Sequence, residues 1–227
     1  MTETGNREIS HKNLAKHVFE RFVRQPAEKI SQLTEENRVL TKENKTDLVT
    51  GLPNEKALFD HVHALNGVWK RSIVESSGES KIKGTAIALD LTGLKKVNDG
   101  YGRSMGDFYL KSVADTVREN IREGDQVFRL GTESDEFSLF LPGETDNENI
   151  NKLLDRFDAK LREKQTKYED TFPDINFSLS FVAVKYGDDR SPMNAYQKGH
   201  DLMGQYKRRK QEESGVRGLS VGRTIIN

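Results

Sequence analysis

The chain has 227 residues, with 36 Lys and Arg balancing 36 Asp and Glu, five His and no Cys. That length allows one ordinary domain with an extension, or two small ones, and a full core. Zero net charge gives no overall field to draw in nucleic acid or an anionic membrane, and the lack of Cys excludes disulfides, thiolate metal sites and a cysteine nucleophile.

No apolar run approaches the ~20 residues that span a bilayer, and the N-terminal stretch MTETGNREISHK lacks the apolar core of a secretion signal. A soluble, cytoplasmic protein is expected, with no nucleic-acid or membrane partner.

Residues 1–8 are polar. From Ile9 to Arg24, the residues Ile9, Leu14, Val18, Phe22 and Val23 recur at helical spacing, which predicts an amphipathic helix that Pro26 breaks or restarts. Residues 27–46 carry a heptad-like seam of Ile30, Leu33, Asn37, Leu40 and Asn44. Asn at core-type positions favours a fixed register and two strands. Fewer than three heptads are present, so a short coiled coil and a single solvated helix both fit. The division expected is 1–46 as a helical stalk and 47–227 as the main domain.

DLVTGLPN (47–54) is a break rich in turn formers, with Asn54 placed to cap a helix whose stripe is Ala57, Leu58, Val62, Leu65 and Trp69. SSGESKIKG (76–84) reads as a loop and TAIALDL (85–91) as a buried strand ending in an acid. GYGRSMGD (100–107) reads as a glycine-rich turn before a helix carrying Leu110, Val113, Val117 and Ile121. QVFRL (126–130) and EFSLFLP (136–142) are predicted as a hairpin around GTESD. A helix over 147–168, a strand over 175–186, a helix from Pro192 to about Glu213 and a last strand in 218–226 follow. This order predicts an α/β fold, a single mixed sheet covered by helices.

The residues that carry chemistry lie mostly in ALDLTGLKKVNDGYGRSMGD (88–107). Asp90 closes a buried strand, a place where a carboxylate can ligate a hard cation that shares its shell with phosphate and water. Lys95 can reach a phosphate as a point charge. Asn98 and Asp107 offer an amide and a carboxylate able to read a guanine edge, and Gly100, Gly102 and Gly106 let the backbone turn tightly. Each piece alone reads as a cap or an ordinary turn; the joint pattern is what points to a site. Asp135 and Glu136 open the strand after the hairpin, and they meet Asp90 if the two strands are neighbours. The run Lys207–Lys210 reads as a solvated helix face, without the interleaved aromatics of a nucleic-acid patch. His61 and His63, two apart, cannot share one helix face as metal ligands.

These motifs together resemble the GGDEF family of diguanylate cyclases over about residues 47–226. DLVTGLPN is similar to the family's D-x-L-T-G-L-x-N. Residues 88–107 are similar to D-I-D-x-F-K-x-I-N-D-x-Y-G-H-x-x-G-D, and RLGTESDEF resembles R-x-G-G-D-E-F, followed by FLPG. The resemblance implies a mainly antiparallel five-stranded sheet, Mg²⁺ or Mn²⁺ as cofactor, and a homodimer joining two GTP into cyclic-di-GMP. It further implies Asp90, the Leu91 carbonyl and Asp135 as metal ligands, with Glu136 the acidic neighbour of Asp135. Lys95 is implied as the phosphate lysine, Asn98 and Asp107 as the guanine-reading pair, and Arg122 with Asp125 as an R-x-x-D site for the product.

The signature loop departs from the family. Gly131, Thr132, Glu133 and Ser134 stand before Asp135, making it two residues longer. Ser134 replaces the second glycine, and Glu133 adds a carboxylate that either repels GTP or serves as an alternative metal ligand. Thr92 replaces the second acid of D-I-D, Arg103 the usual His, and Glu55 the usual Arg. HDLMGQYKRRK leaves Lys207 and Arg208 both open as the phosphate-binding base of the last helix. Two functions follow: a cyclase, or a catalytically inactive module that binds GTP or cyclic-di-GMP as a signalling receptor or scaffold.

Overall fold

A computed structural model describes residues 19, 23–24, 26–34, 45–76, 78–131, 134–168, 176–214 and 222–226. The chain divides into two compact units, Met1–Asn44 and Lys45–Asn227. In the first, residues 26–34 are helical. Ile30 and Leu33 of the expected seam are exposed there; Asn37, Leu40 and Asn44 lie outside the described residues.

The second unit runs α1 (Glu55–Glu75), β1 (Gly84–Leu91), α2 (Leu94–Tyr101), α3 (Arg103–Asn120), β2 (Gln126–Arg129), β3 (Glu136–Pro142), α4 (Asn147–Thr166), β4 (Leu179–Tyr186), α5 (Pro192–Ser214) and β5 (Arg223–Ile226). Asn54 caps α1, its side chain accepting from the Ala57 amide, and Asp146 caps α4 by accepting from Glu148 and Asn149. The strands form one sheet in the order β2-β3-β1-β4-β5. All neighbours are antiparallel except β4 and β5, which pair in parallel after the α5 crossover.

Side chains alternate across a strand, and this alternation places the site. Ile87, Leu89 and Leu91 of β1 share one core with Phe137, Leu139 and Leu141 of β3 and with residues of α3 and α4. Ala86 and Ala88 join Phe140, Val182 and Met203 in the other core, beneath α1 and α5. Asp90 and Glu136 continue the second pattern, so both face α5. The small residues Ala88 and Ala195 let α5 lie close to the sheet. A Cβ on Gly199 would sit 3.6 Å from the Val182 carbonyl oxygen and 3.7 Å from the Ala88 Cβ.

The glycine-rich turn expected over 100–107 is almost wholly helical. Gly100 and Tyr101 finish α2, Gly102 alone breaks the path, and α3 starts at Arg103. Gly102 has φ +84°, a left-handed conformation that favours glycine, and this one residue reverses the chain between two helices.

Candidate functional site

The site is built where β1 ends. Asp90 is paired in register with Glu136 on one side and Ser180 on the other. The Leu91 amide donates to the Asp135 carbonyl at 3.0 Å, and the Thr92 amide to the Ser178 carbonyl at 3.0 Å. Fully buried Tyr109 secures this corner from below. Its hydroxyl accepts from the Ser178 amide and lies 3.0 Å from the Thr92 carbonyl oxygen. Three carboxylates, those of Asp90, Asp135 and Glu136, are thereby gathered at one end of two central strands.

Two α5 side chains, seven residues apart and hence on one helical face, meet them. The Lys207 ammonium donates to Asp90 Oδ1 and lies 3.5 Å from Glu136 Oε1. His200 Nδ1 lies 3.8 Å from Glu136 Oε2, while His200 Nε2 is 2.7 Å from Ser138 Oγ. Glu136 is thus held between His200 and Lys207. Asp90 is only 5% exposed. Burial and the neighbouring Asp135 charge push its carboxyl up to about 7, against the pull of Lys207. The His200 contact, opposed by burial and aided by Lys207, holds Glu136 below the usual carboxylate range. Burial works against the Lys207 charge, but Asp90, Asp135 and Glu136 raise its ammonium above the ordinary range.

The donors are hard oxygens of the kind Mg²⁺ takes, so their chemistry fits such an ion. Among the described residues no three His, Asp or Glu side chains are placed to enclose one ion. Such an ion would have to complete its shell from water or ligand, beside a lysine ammonium already seated on Asp90.

A family model described as "Diguanylate cyclase, GGDEF domain" matches residues 44–213. The chain belongs to the GGDEF family. Among curated relatives it is 30% identical over 133 residues to the diguanylate cyclase DgcP of Escherichia coli, covering 59% of this chain and 36% of that protein. It is 26% identical over 188 residues to diguanylate cyclase A of Treponema denticola, covering 80% and 47%. The chain spans about a third of the length of the first of these and under half of the second. In fold it is similar to the coiled coil and GGDEF domain of DgcB from Caulobacter crescentus, solved in complex with c-di-GMP. The TM-score is 0.61 at 17% identity, over 92% of this chain and 99% of that one. It is also similar to the diguanylate cyclase SiaD from Pseudomonas aeruginosa, solved with its activator SiaC, with a TM-score of 0.57 at 20% identity over 98% and 76%.

The other expected GGDEF residues fall around the same strand end. Lys95 is exposed in the first turn of α2. That helix opens at Gly93 (φ +81°), which has no side chain with which to cap its first amides. Asn98 is half-buried and Asp107 exposed. A Cβ on Gly106 would come 1.8 Å from Asn98 Oδ1, so the glycine is what lets α3 lie against the Asn98 amide.

Arg122 and Asp125 stand apart, beyond the far end of α3. Arg122 donates from Nε to Asp125 Oδ1 at 3.2 Å and from NH2 to the Pro142 carbonyl at 2.9 Å. They line a cleft of about 250 Å³ with Asn149, Lys152 and Arg156. Thr132 and Glu133 of the lengthened loop lie outside the described residues.

Lys207 corrects the reading of residues 207–210 as a solvated face. Arg208 and Arg209 are exposed, whereas Lys207 is half-buried among the acids. Between the two candidate bases of α5, only Lys207 reaches the strand end. Sequence reasoning missed His200 altogether, because its partners lie more than sixty residues away and no local spacing marks it. It also missed the link between the opening motif and the signature loop. Arg129 NH1 donates to both oxygens of Asp47, at 2.9 and 3.0 Å, and Arg129 NH2 donates to the Ser134 carbonyl at 3.2 Å.

Proposed function

We propose that this domain is a Mg²⁺-dependent diguanylate cyclase, condensing two GTP to cyclic-di-GMP between two copies of the chain. The observation that carries the reading is the convergence of Asp90, Asp135, Glu136 and Lys207 at one strand end, with the uncapped start of α2 directly after it. Asn98 and Asp107 hold the guanine. The α2 amides, Lys95 and Lys207 take the triphosphate, because a helix start and two ammonium groups oppose its charge. Asp90, the Leu91 carbonyl and Asp135 would hold the cation, which would lower phosphate charge and favour attack by a 3′-hydroxyl on the other GTP's α-phosphate, with pyrophosphate leaving each time. Neither tight fixing of the triphosphate nor that ion alone makes the bond. The second GTP comes from a partner copy, so the active unit is a homodimer.

A second reading is favoured by one specific observation, the lysine seated in the cation's place. In it the domain is catalytically inactive and binds GTP or cyclic-di-GMP as a receptor, the latter at Arg122 and Asp125. One assay separates the two. Purified protein is incubated with GTP and Mg²⁺ or Mn²⁺, and cyclic-di-GMP is sought by chromatography. Turnover abolished in Asp90→Ala supports the cyclase. No turnover, with cyclic-di-GMP binding lost in Arg122→Ala, supports the receptor.

A further inference from the structure

The carboxylates at the end of β1 already have a cation, and it is covalently part of the chain. Lys207 reaches them from α5, one of the two helices that cover this face of the sheet among the described residues, and its ammonium touches Asp90 while facing Glu136 at 3.5 Å. Its seat is built from three elements. Asp90 comes from β1, Glu136 from β3, and His200, two turns earlier on α5, holds the second oxygen of Glu136 at 3.8 Å. His200 is itself fixed by Ser138 Oγ at 2.7 Å. The Asp90 side chain is 8% exposed and that of Lys207 32%, so the pair is shielded but open on one side. A free divalent ion approaching Asp90 meets a positive charge in contact with the very oxygen it needs, in surroundings where water screens that repulsion poorly.

We propose that Lys207 acts as a tethered counter-cation that fills the metal position of the nucleotide-free domain and excludes divalent ions until a triphosphate draws it away. The inference rests on the nucleotide reading above and deepens it by making cation entry follow ligand entry. A polyphosphate can do this because it carries several negative charges, against the two carboxylates that Lys207 leaves. Lysine suits the role, since four rotatable carbons let one ammonium reach either partner from a fixed Cα. The exchange is an ion-pair substitution, with no covalent step.

The test is Mn²⁺ binding followed by electron paramagnetic resonance on protein freed of metal with a chelator. Without nucleotide, the wild type is expected to leave Mn²⁺ free at concentrations where Lys207→Met and Lys207→Gln bind it roughly tenfold more tightly or better. Adding a non-hydrolysable GTP analogue to the wild type is expected to bring Mn²⁺ onto the protein. The inference is overturned if the nucleotide-free wild type binds Mn²⁺ as tightly as the variants. It is equally overturned if neither variant gains affinity while both melt as folded proteins. Should the substitutions unfold the domain, the wild-type titration without nucleotide still decides, because Mn²⁺ uptake there contradicts the proposal. Failure of the nucleotide reading looks different: the analogue does not bind, while the gain in Lys207→Met persists.

Discussion

Replacing Asp47 by Ala removes one half of a buried ion pair that ties the first turn of the domain to the strand leading into the signature loop. The Asp47 and Arg129 side chains are 8% and 2% exposed, so solvent does little to replace the lost partner. Asp47 also accepts from the Thr50 amide at 2.8 Å and the Thr50 hydroxyl at 2.6 Å. Removing one partner of a buried pair costs about 3–5 kcal/mol, because the other charge stays buried without it. With a urea slope of about 2 kcal/mol per M, the unfolding midpoint falls by about 1.5–2.5 M. That is a large share of the roughly 5–15 kcal/mol that stabilises a typical domain.

The double variant Asp47→Leu/Arg129→Met loses less than the sum of its single changes, by about 2 kcal/mol. Burial opposes ionisation of Asp47, but the Thr50 hydrogen bonds and Arg129 still hold its carboxyl below the ordinary range. Its stabilisation is therefore complete above the unfolded value of about 3.9 and is lost as pH falls through the lower native value. The deficit of Asp47→Ala shrinks accordingly in acid. A deficit under about 1 kcal/mol at pH 7, or strict additivity in the double variant, refutes the reasoning.

Other outcomes follow from the site. Gly106→Ala forces the Asn98 side chain aside while leaving the backbone path open. GTP-analogue affinity, read by fluorescence titration, falls about tenfold, or about 1.4 kcal/mol, with little change in melting temperature. With chelator present, Asp90 binds a proton in the folded state up to about pH 7. The unfolded chain releases it near 4. Asp90 therefore lowers stability as pH rises from about 4 to 7, and Asp90→Asn flattens that slope in urea titrations at several pH values. Trp69→Phe removes the indole donor to the Gly187 carbonyl and lowers stability by about 1 kcal/mol in the same assay.

The strands were the most legible part of the chain. β1 and β3 read as apolar runs closed or opened by acids, and their motifs lie in family order, so the pairing of Asp90 with Glu136 was expected once the strands were neighbours. The α2 helix was not legible, because Asn98, Asp99 and Gly100 look like turn formers, while packing of Leu94 and Val97 into the core overrides that propensity. Which face of α5 carries Lys207 is decided by how Gly199 and Ala195 seat the helix on the sheet, not by the basic run itself. The Asp47–Arg129 pair spans 82 residues. A contact at that distance leaves no mark in local periodicity.

The most direct measurement is chromatography of the products after purified protein is incubated with GTP and Mg²⁺. The account predicts cyclic-di-GMP and pyrophosphate from the wild type and neither from Asp90→Ala. A folded wild type that retains the GTP analogue yet leaves GTP unchanged with both Mg²⁺ and Mn²⁺ contradicts it.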